Sequence, residues 1–305
     1  MIKTKAKDKK IKKHTSLDDK ILYTVSTAFL LFVLIVVAYP IIFVVSSSLS
    51  SGKAVSSGRV LLWPVEFSLQ GYRAVFNYKS VWIGFRNSIF YTVVGTALNM
   101  FLSVLAAYPL SRPNYQGRRF GTILLTITML FSAGIIPKYL LMSDLHLVNN
   151  MAALIFITPL HAYYVIIMLT YFRSSIPNEL IEAARIDGCS EIRTLFSVVL
   201  PLSHAVLSVV TLFYAVGHWN SYFNAMIYLR KQEQFPLQLI LRNILSASEI
   251  DLTQMDDPEL LKQMIGLSDL MKYSLIVITS VPVIVAYPFV QKFFKRGVMI
   301  GSVKG

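Results

Sequence analysis

The sequence is short of cysteine, of charge and of acids, and each shortage removes a class of protein. Cys189 is the only cysteine in 305 residues, so an intrachain disulfide and a thiolate metal cluster are both excluded. Charged residues make up 15% of the chain against 55% hydrophobic, too apolar a balance for a soluble domain of this size. No nucleotide-binding G-x-x-x-x-G-K-[ST] run occurs, because Gly52-Lys53 lacks the spaced upstream glycine; the chain is therefore not itself an ATPase. H-E-x-x-H and G-x-S-x-G are also missing, and no carboxylate pair is set into an apolar stretch. No catalytic residue, no metal ligand and no cofactor bound by the chain itself are expected.

What is present is a series of long apolar runs. A bilayer core of ~30 Å takes ~20 apolar residues as a helix. Six runs qualify, at about 21–45, 88–110, 120–139, 152–172, 201–219 and 273–290. The expected fold is all-α and integral to the membrane: six transmembrane helices over 21–290, a basic tail at 1–20 and a second tail at 291–305. The first run follows a lysine-rich leader, but it is longer than a signal-peptide core and no convincing small-x-small cleavage site follows it, so it reads as an anchor.

Lys and Arg set the orientation. Eight lie in 1–20, three between the second and third runs (Arg112, Arg118, Arg119), three between the fourth and fifth (Arg173, Arg185, Arg193) and four after Gln291. Only 11 of the 29 remain for the other side or the edges of the runs, which places both termini and the 174–201 loop in the cytoplasm. The net charge of +13 is accounted for by orientation and anionic lipid. The basic run has no interleaved aromatics to stack bases, so nucleic acid is not expected.

The loop 174–201 reads SSIPNELIEAARIDGCSEIRTLFSVVLP. Pro177 suits a helix start, with Glu179 at the positive end of the dipole. Leu180, Ala183, Ala184 and Asp187 recur at three- and four-residue spacing, giving one small, shallow face that another protein's backbone can approach. Gly188 accommodates the left-handed conformation that stops a helix, and Ser190 suits the cap of a second helix running to Leu200-Pro201. The reading is a short helix lying on the membrane face, offered to a soluble partner.

This spacing resembles the E-A-A signature of bacterial ABC importer permeases: E-A-A, three residues, G, nine residues, I, one residue, L-P. Glu182-Ala183-Ala184, Gly188 and Leu200-Pro201 fit, and Val198 stands conservatively for the isoleucine. The tail Gly301-Ser302-Val303-Lys304-Gly305 resembles the V-K-G ending of the second permease of maltose-type carbohydrate importers. The resemblance implies a heterodimer with a homologous permease, an extracytoplasmic solute-binding protein and two ATPase subunits that carry ATP and Mg. It implies that Glu182, Ala183, Ala184, Asp187, Gly188, Leu200 and Pro201 couple the chain to an ATPase and that 301–305 add a contact. The expected location is the bacterial plasma membrane.

Polar residues within the runs belong to a cavity or a bundle interior. In the fourth these are His161, Tyr163 and Tyr164, and Asn99 in the second is expected to bond to a neighbouring helix. The fifth ends in His218-Trp219-Asn220-Ser221-Tyr222-Phe223-Asn224, a mixture of rings and amides that suits sugar; Trp219 and Tyr222 suit interface anchoring equally well. Resemblance to the W-N-x-[FY] pattern of carbohydrate permeases favours sugar contact for Asn220. The residues expected along a substrate path are thus His161, Tyr163, Tyr164, Trp219, Asn220, Tyr222 and Asn224. Residues 229–270 read as an external loop, with an amphipathic element at 235–245 on the membrane surface and a solvated acidic stretch matching no calcium-loop spacing. The expected function is carbohydrate import, most plausibly of an oligosaccharide. The alternatives are a permease for another solute or an ion-coupled carrier, for which only His161 and His204 offer titratable groups.

Overall fold

A computed structural model describes residues 17–250 and 258–301 of the chain, and every regular element among them is helical. The first helix, α1 (Leu17–Ser48), is apolar throughout its spanning window and buries none of it. Its far end is held by serines: Ser46 Oγ donates to the Leu62 carbonyl (2.7 Å), Ser50 Oγ accepts from Val65 N–H (3.0 Å), and Ser48 Oγ pairs with the Tyr72 hydroxyl (2.9 Å). Two short helices follow, α2 (Gly52–Ser56) and α3 (Gln70–Asn77), while Trp63 and Phe67 between them point outward.

The central element is α4 (Lys79–Ser111). Ser88, Tyr91, Gly95, Asn99, Ser103 and Ala107 recur every three or four residues on it and are all buried, so a stripe of small and polar groups faces the bundle. The third expected run, 120–139, is not one helix. It divides into α5 (Arg118–Leu130) and α6 (Ile135–Asp144), bent by 116° where Gly134 has φ +78° and no side-chain cap is made. The fourth divides likewise into α7 (Ala152–Phe156) and α8 (Ala162–Ser175), broken around Thr158-Pro159.

The loop after α8 forms α9 (Asn178–Ile186) and α10 (Glu191–Thr194), a π-helical turn over Leu195–Val199 and α11 (Leu200–Leu202). Pro201 has no N–H to continue a regular ladder at this point. An 86° bend leads into α12 (His204–Trp219), so Pro201 belongs to the loop leg and not to the fifth span. Among the described residues three continuous helices are long and apolar enough to cross a membrane, α1, α4 and the 266–288 part of the last helix, or up to five elements if each bent pair counts once.

The segment expected as an external loop is mostly helical. After α13 (Tyr222–Tyr228), which precedes it, the segment holds α14 (Leu237–Ile250) and the start of α15 (Pro258–Gly301). The element at 235–245 does not lie on a membrane surface: Leu237, Leu239 and Ile240 are buried, and Leu237 and Ile240 pack with Trp219 and Leu275. The cause is the grip of α4. Asn87 Nδ2 donates to the Glu233 and Phe235 carbonyls (2.8 and 3.1 Å), the Tyr91 hydroxyl to the Gln234 carbonyl (2.8 Å), and Ser88 Oγ accepts from Leu237 N–H (2.9 Å). Residues 1–16, Asp251, Asp256, Asp257 and Ser302–Gly305 lie outside the described residues; helix α15 carries the expected tail as far as Gly301.

Asn87→Leu leaves two inward-facing carbonyls without donors, at about 1–3 kcal/mol each. A markedly lower thermal unfolding midpoint of the detergent-solubilised protein is expected, with Asn87→Gln intermediate.

Candidate functional site: the α9 loop and the polar cavity

The α9 loop turns one side to its own bundle and the other outward. Ile181 is buried in the main core with Phe172, Leu195 and Val199, and Ala184 is buried on the same side, while Glu182, Ala183, Arg185, Asp187 and Gly188 are exposed. The face expected to be shared by the two alanines is therefore divided: Ala183 looks outward and Ala184 inward, since the core claims the Ile181 side of the helix. Leu180 stays half-exposed. The outer side also carries an apolar group that is not one of the four at three- and four-residue spacing. Ile186 is 87% exposed, the highest value of any large hydrophobic among the described residues, and Ile192 beyond the turn is also exposed.

The turn itself is rigidly made. Gly188 has φ +77°, its N–H donates to the Arg185 carbonyl (3.0 Å), and the Cys189 N–H reaches back to the Ala184 carbonyl (2.9 Å). These two bonds are the Schellman pattern that ends a helix, and it calls for a left-handed residue at this position. Ser190 caps α10 as expected, accepting from Arg193 N–H (3.3 Å).

Glu191 ties the loop to α4. One of its carboxylate oxygens takes both the Arg185 Nη2 and Nε donors (2.6 and 3.1 Å), and the other accepts from the Tyr108 hydroxyl (2.7 Å). Beside it, two arginines cap each other's helices: Arg112 Nη2 donates to the Phe172 carbonyl (3.3 Å), and Arg173 Nη2 to that of Leu110 (2.7 Å). The C-terminal ends of α4 and α8 are thus locked together by cations placed where helix dipoles favour them.

Further along α4 the same stripe lines a cavity of about 180 Å³. Of the expected substrate-path residues, His161, Tyr164 and Asn224 line it. Tyr164 stacks on His161 at 4.6 Å and meets Tyr214 edge-on at 4.8 Å. Tyr163 faces an adjoining cavity, which His161 also lines. Trp219, Asn220 and Tyr222 do not line this cavity. Trp219 is buried against α15, its Nε1 donating to the Thr279 carbonyl (3.0 Å) and its ring meeting Phe85. Asn220 bonds to the Val216 carbonyl of its own helix and to Gln238. Tyr222 is exposed, with its ring against Phe223.

In their place the cavity has Asn99, Thr158, Tyr214, His218 and Ser221. Asn99 bonds to the His218 ring and donates from Nδ2 to the Thr158 carbonyl (2.8 Å), the inter-helix role expected of it. Tyr214 pairs with Ser103 (2.7 Å) and accepts from the backbone N–H of His161 (3.1 Å). The break in the fourth run is thereby satisfied by side chains from α4 and α12, as irregular backbone at membrane depth must be. Tyr214 and His218 share a face of α12, a spacing that marks them in the sequence, and Ser221 follows in the connection to α13. Their meeting with Asn99 and Ser103 depends on how α12 packs on α4. Gly95 lets the His218 ring come against α4, where a Cβ would meet it.

Residues 16–300 match the family described as binding-protein-dependent transport system inner membrane component. The chain belongs to that family. As a permease of this kind it is a non-catalytic membrane component of a transporter, and such components work with a further permease, ATPases and a binding protein. It is 38% identical over 284 residues to the polygalacturonan/rhamnogalacturonan transport system permease protein YtcP of Bacillus subtilis, covering 91% of this chain and 96% of that one. To the protein LplC of the same organism it is 36% identical, covering 87% and 89%. Among solved structures, a bacterial ABC transporter involved in the import of the acidic polysaccharide alginate matches with TM-score 0.82 at 35% identity, over 92% of this permease and 98% of that chain.

Tyr108→Phe removes a hydrogen bond to a charged group, about 1.5–3 kcal/mol. Faster hydrogen exchange of the 190–199 backbone is expected, with exchange in α14 unchanged.

Proposed function

We propose that this permease carries an oligosaccharide across the bacterial plasma membrane, crossing the bilayer six times with both termini inside, and that α9 is the piece its ATPase partners grip. The observation that carries the reading is the two-sidedness of α9. Its inner side is anchored through Ile181, Ala184 and the Arg185–Glu191–Tyr108 tie, and its outer side presents Ala183 and Ile186 to a partner. Glu182 and Asp187 flank that surface, Gly188 sets the turn, and Leu200-Pro201 return the chain to the membrane. The tail 301–305 would add a contact. The six crossings are α1, α4, α5 with α6, α7 with α8, α12, and α15. The Lys and Arg distribution supports the orientation.

The partners in this reading are a second, homologous permease, two ATPases holding ATP and Mg, and an extracytoplasmic solute-binding protein. Carbohydrate as cargo is supported by what the relatives are named for and by the cavity, where rings and hydroxyl or amide groups alternate, as sugar faces and edges require. No Asp or Glu lines the cavity, so a uronate-bearing oligosaccharide meets no like charge there.

Gly188→Asp places a branched residue at φ +77°, at roughly 1–2 kcal/mol, and adds charge to the docking surface. The variant is expected in the membrane at normal levels with ATP-driven uptake abolished; normal uptake would count against α9 as the coupling element. In the reconstituted complex with its binding protein, oligogalacturonate is expected to stimulate ATP hydrolysis and amino acids are not. Stimulation by amino acids alone would overturn the sugar assignment.

A further inference from the structure

The α4–α5 connection carries a feature separate from the α9 loop. Arg118 and Arg119 open α5 and Arg173 lies near the end of α8, and all three line one cavity of about 530 Å³. No acidic residue lines it, and none of the three is in an ion pair among the described residues. Two arginines elsewhere do pair with carboxylates, Arg59 with Glu66 and Arg185 with Glu191. Arg173 spends one donor on the Leu110 carbonyl and keeps the rest.

Three guanidinium groups around one space repel one another, and two of them stand in the first turn of a helix that has no acid there. Cations are unfavourable at that end of the dipole. No carboxylate among the described residues lines the cavity to offset these charges, so an anion from outside the chain is favoured there. Its apolar side says what kind. Ile123 lines the same cavity, and Phe120, Leu124 and Ile127, next to it on α5 at helical spacing, are all exposed. A basic recess above an unpartnered apolar stripe has the polarity of a phospholipid, with phosphate at one end and chain at the other.

We infer that the cavity bounded by Arg118, Arg119 and Arg173 holds the phosphate of an anionic phospholipid, with an acyl chain along Phe120, Ile123, Leu124 and Ile127. The inference rests on the orientation proposed above, which sets this loop at the inner headgroup level, where basic recesses between helices take anionic headgroups. The lipid fixes α5 beside the reciprocal Arg112–Arg173 caps and so steadies the inner ends of α4 and α8.

The test uses the whole importer complex in nanodiscs of phosphatidylglycerol mixed with phosphatidylcholine, and native mass spectrometry of the lipid that stays bound. Wild type is expected to retain phosphatidylglycerol in preference to phosphatidylcholine. R118Q/R119Q, which leaves the Arg173–Leu110 bond in place, and R118Q/R119Q/R173Q are expected to lose it stepwise, by about fivefold per arginine. Equal retention by wild type and both variants overturns the site. So does displacement of the lipid by millimolar inorganic phosphate, which would make the ligand a free anion. Loss of ATPase subunits from the variants with lipid retention unchanged would assign the arginines to a protein contact instead, and also overturns it. ATP-driven uptake by the wild-type complex in proteoliposomes is read separately: absent uptake with the lipid retained sinks the transport reading and leaves the site standing.

Discussion

Within a bilayer, a backbone group that loses its helical partner has no water to turn to, and each such orphan costs several kcal/mol. This constraint bears hardest on a chain in which two of the expected spans are broken, at Gly134 and at Thr158-Pro159. Helix α4 meets much of it. Asn87, Ser88 and Tyr91 take up the backbone of the 233–237 segment, Asn99 takes the Thr158 carbonyl, and Ser103 pairs with the Tyr214 hydroxyl that receives His161 N–H. Hydrogen-bonding side chains on one helix thus allow its neighbours to be irregular, and irregular neighbours are what leave a polar cavity.

The same helix runs on to the α9 loop. Its C-terminal end gives Tyr108 to Glu191, which also holds Arg185, and its carbonyl at Leu110 is capped by Arg173. The groups that shape the cavity and the groups that hold the loop are therefore mounted on one continuous 33-residue helix. A rigid-body shift at the loop end moves Asn99 and Ser103 with it, because close-packed helices transmit strain and deform little. Mutual capping by Arg112 and Arg173 makes α8 part of the same body, and α8 begins at the break that lines the cavity.

Much of this was legible from residue type and spacing. Apolar run length located the long helices α1, α4 and α12, Pro177, Gly188 and Ser190 marked the start, turn and restart of the α9 loop, and the buried amide of Asn99 called for a partner on another helix. Less legible was the side each residue would take. Ala183 and Ala184 are adjacent and alike, yet one faces outward and the other lies in the core, because Ile181 fixes the rotation of α9. Trp219 and Asn220 look like sugar-binding residues in a mixed aromatic and amide run, but α15 offers a carbonyl at Thr279 and a close apolar wall that claim the indole. The 235–245 segment reads as a surface helix until Asn87, nearly 150 positions earlier, draws its backbone inward.

Helix existence, polarity and the turn at Gly188 follow from local causes: hydrophobic run length, φ preference and capping act over a few residues, and the sequence by itself determined them. The cavity, the exposure of Ile186 and the lock between Glu191 and Tyr108 arise from groups 53 or more positions apart or from the rotation of a helix on its neighbours. Only the tertiary structure decided those, since a side chain's partner is set by which surface packs against it, and that depends on the whole bundle at once.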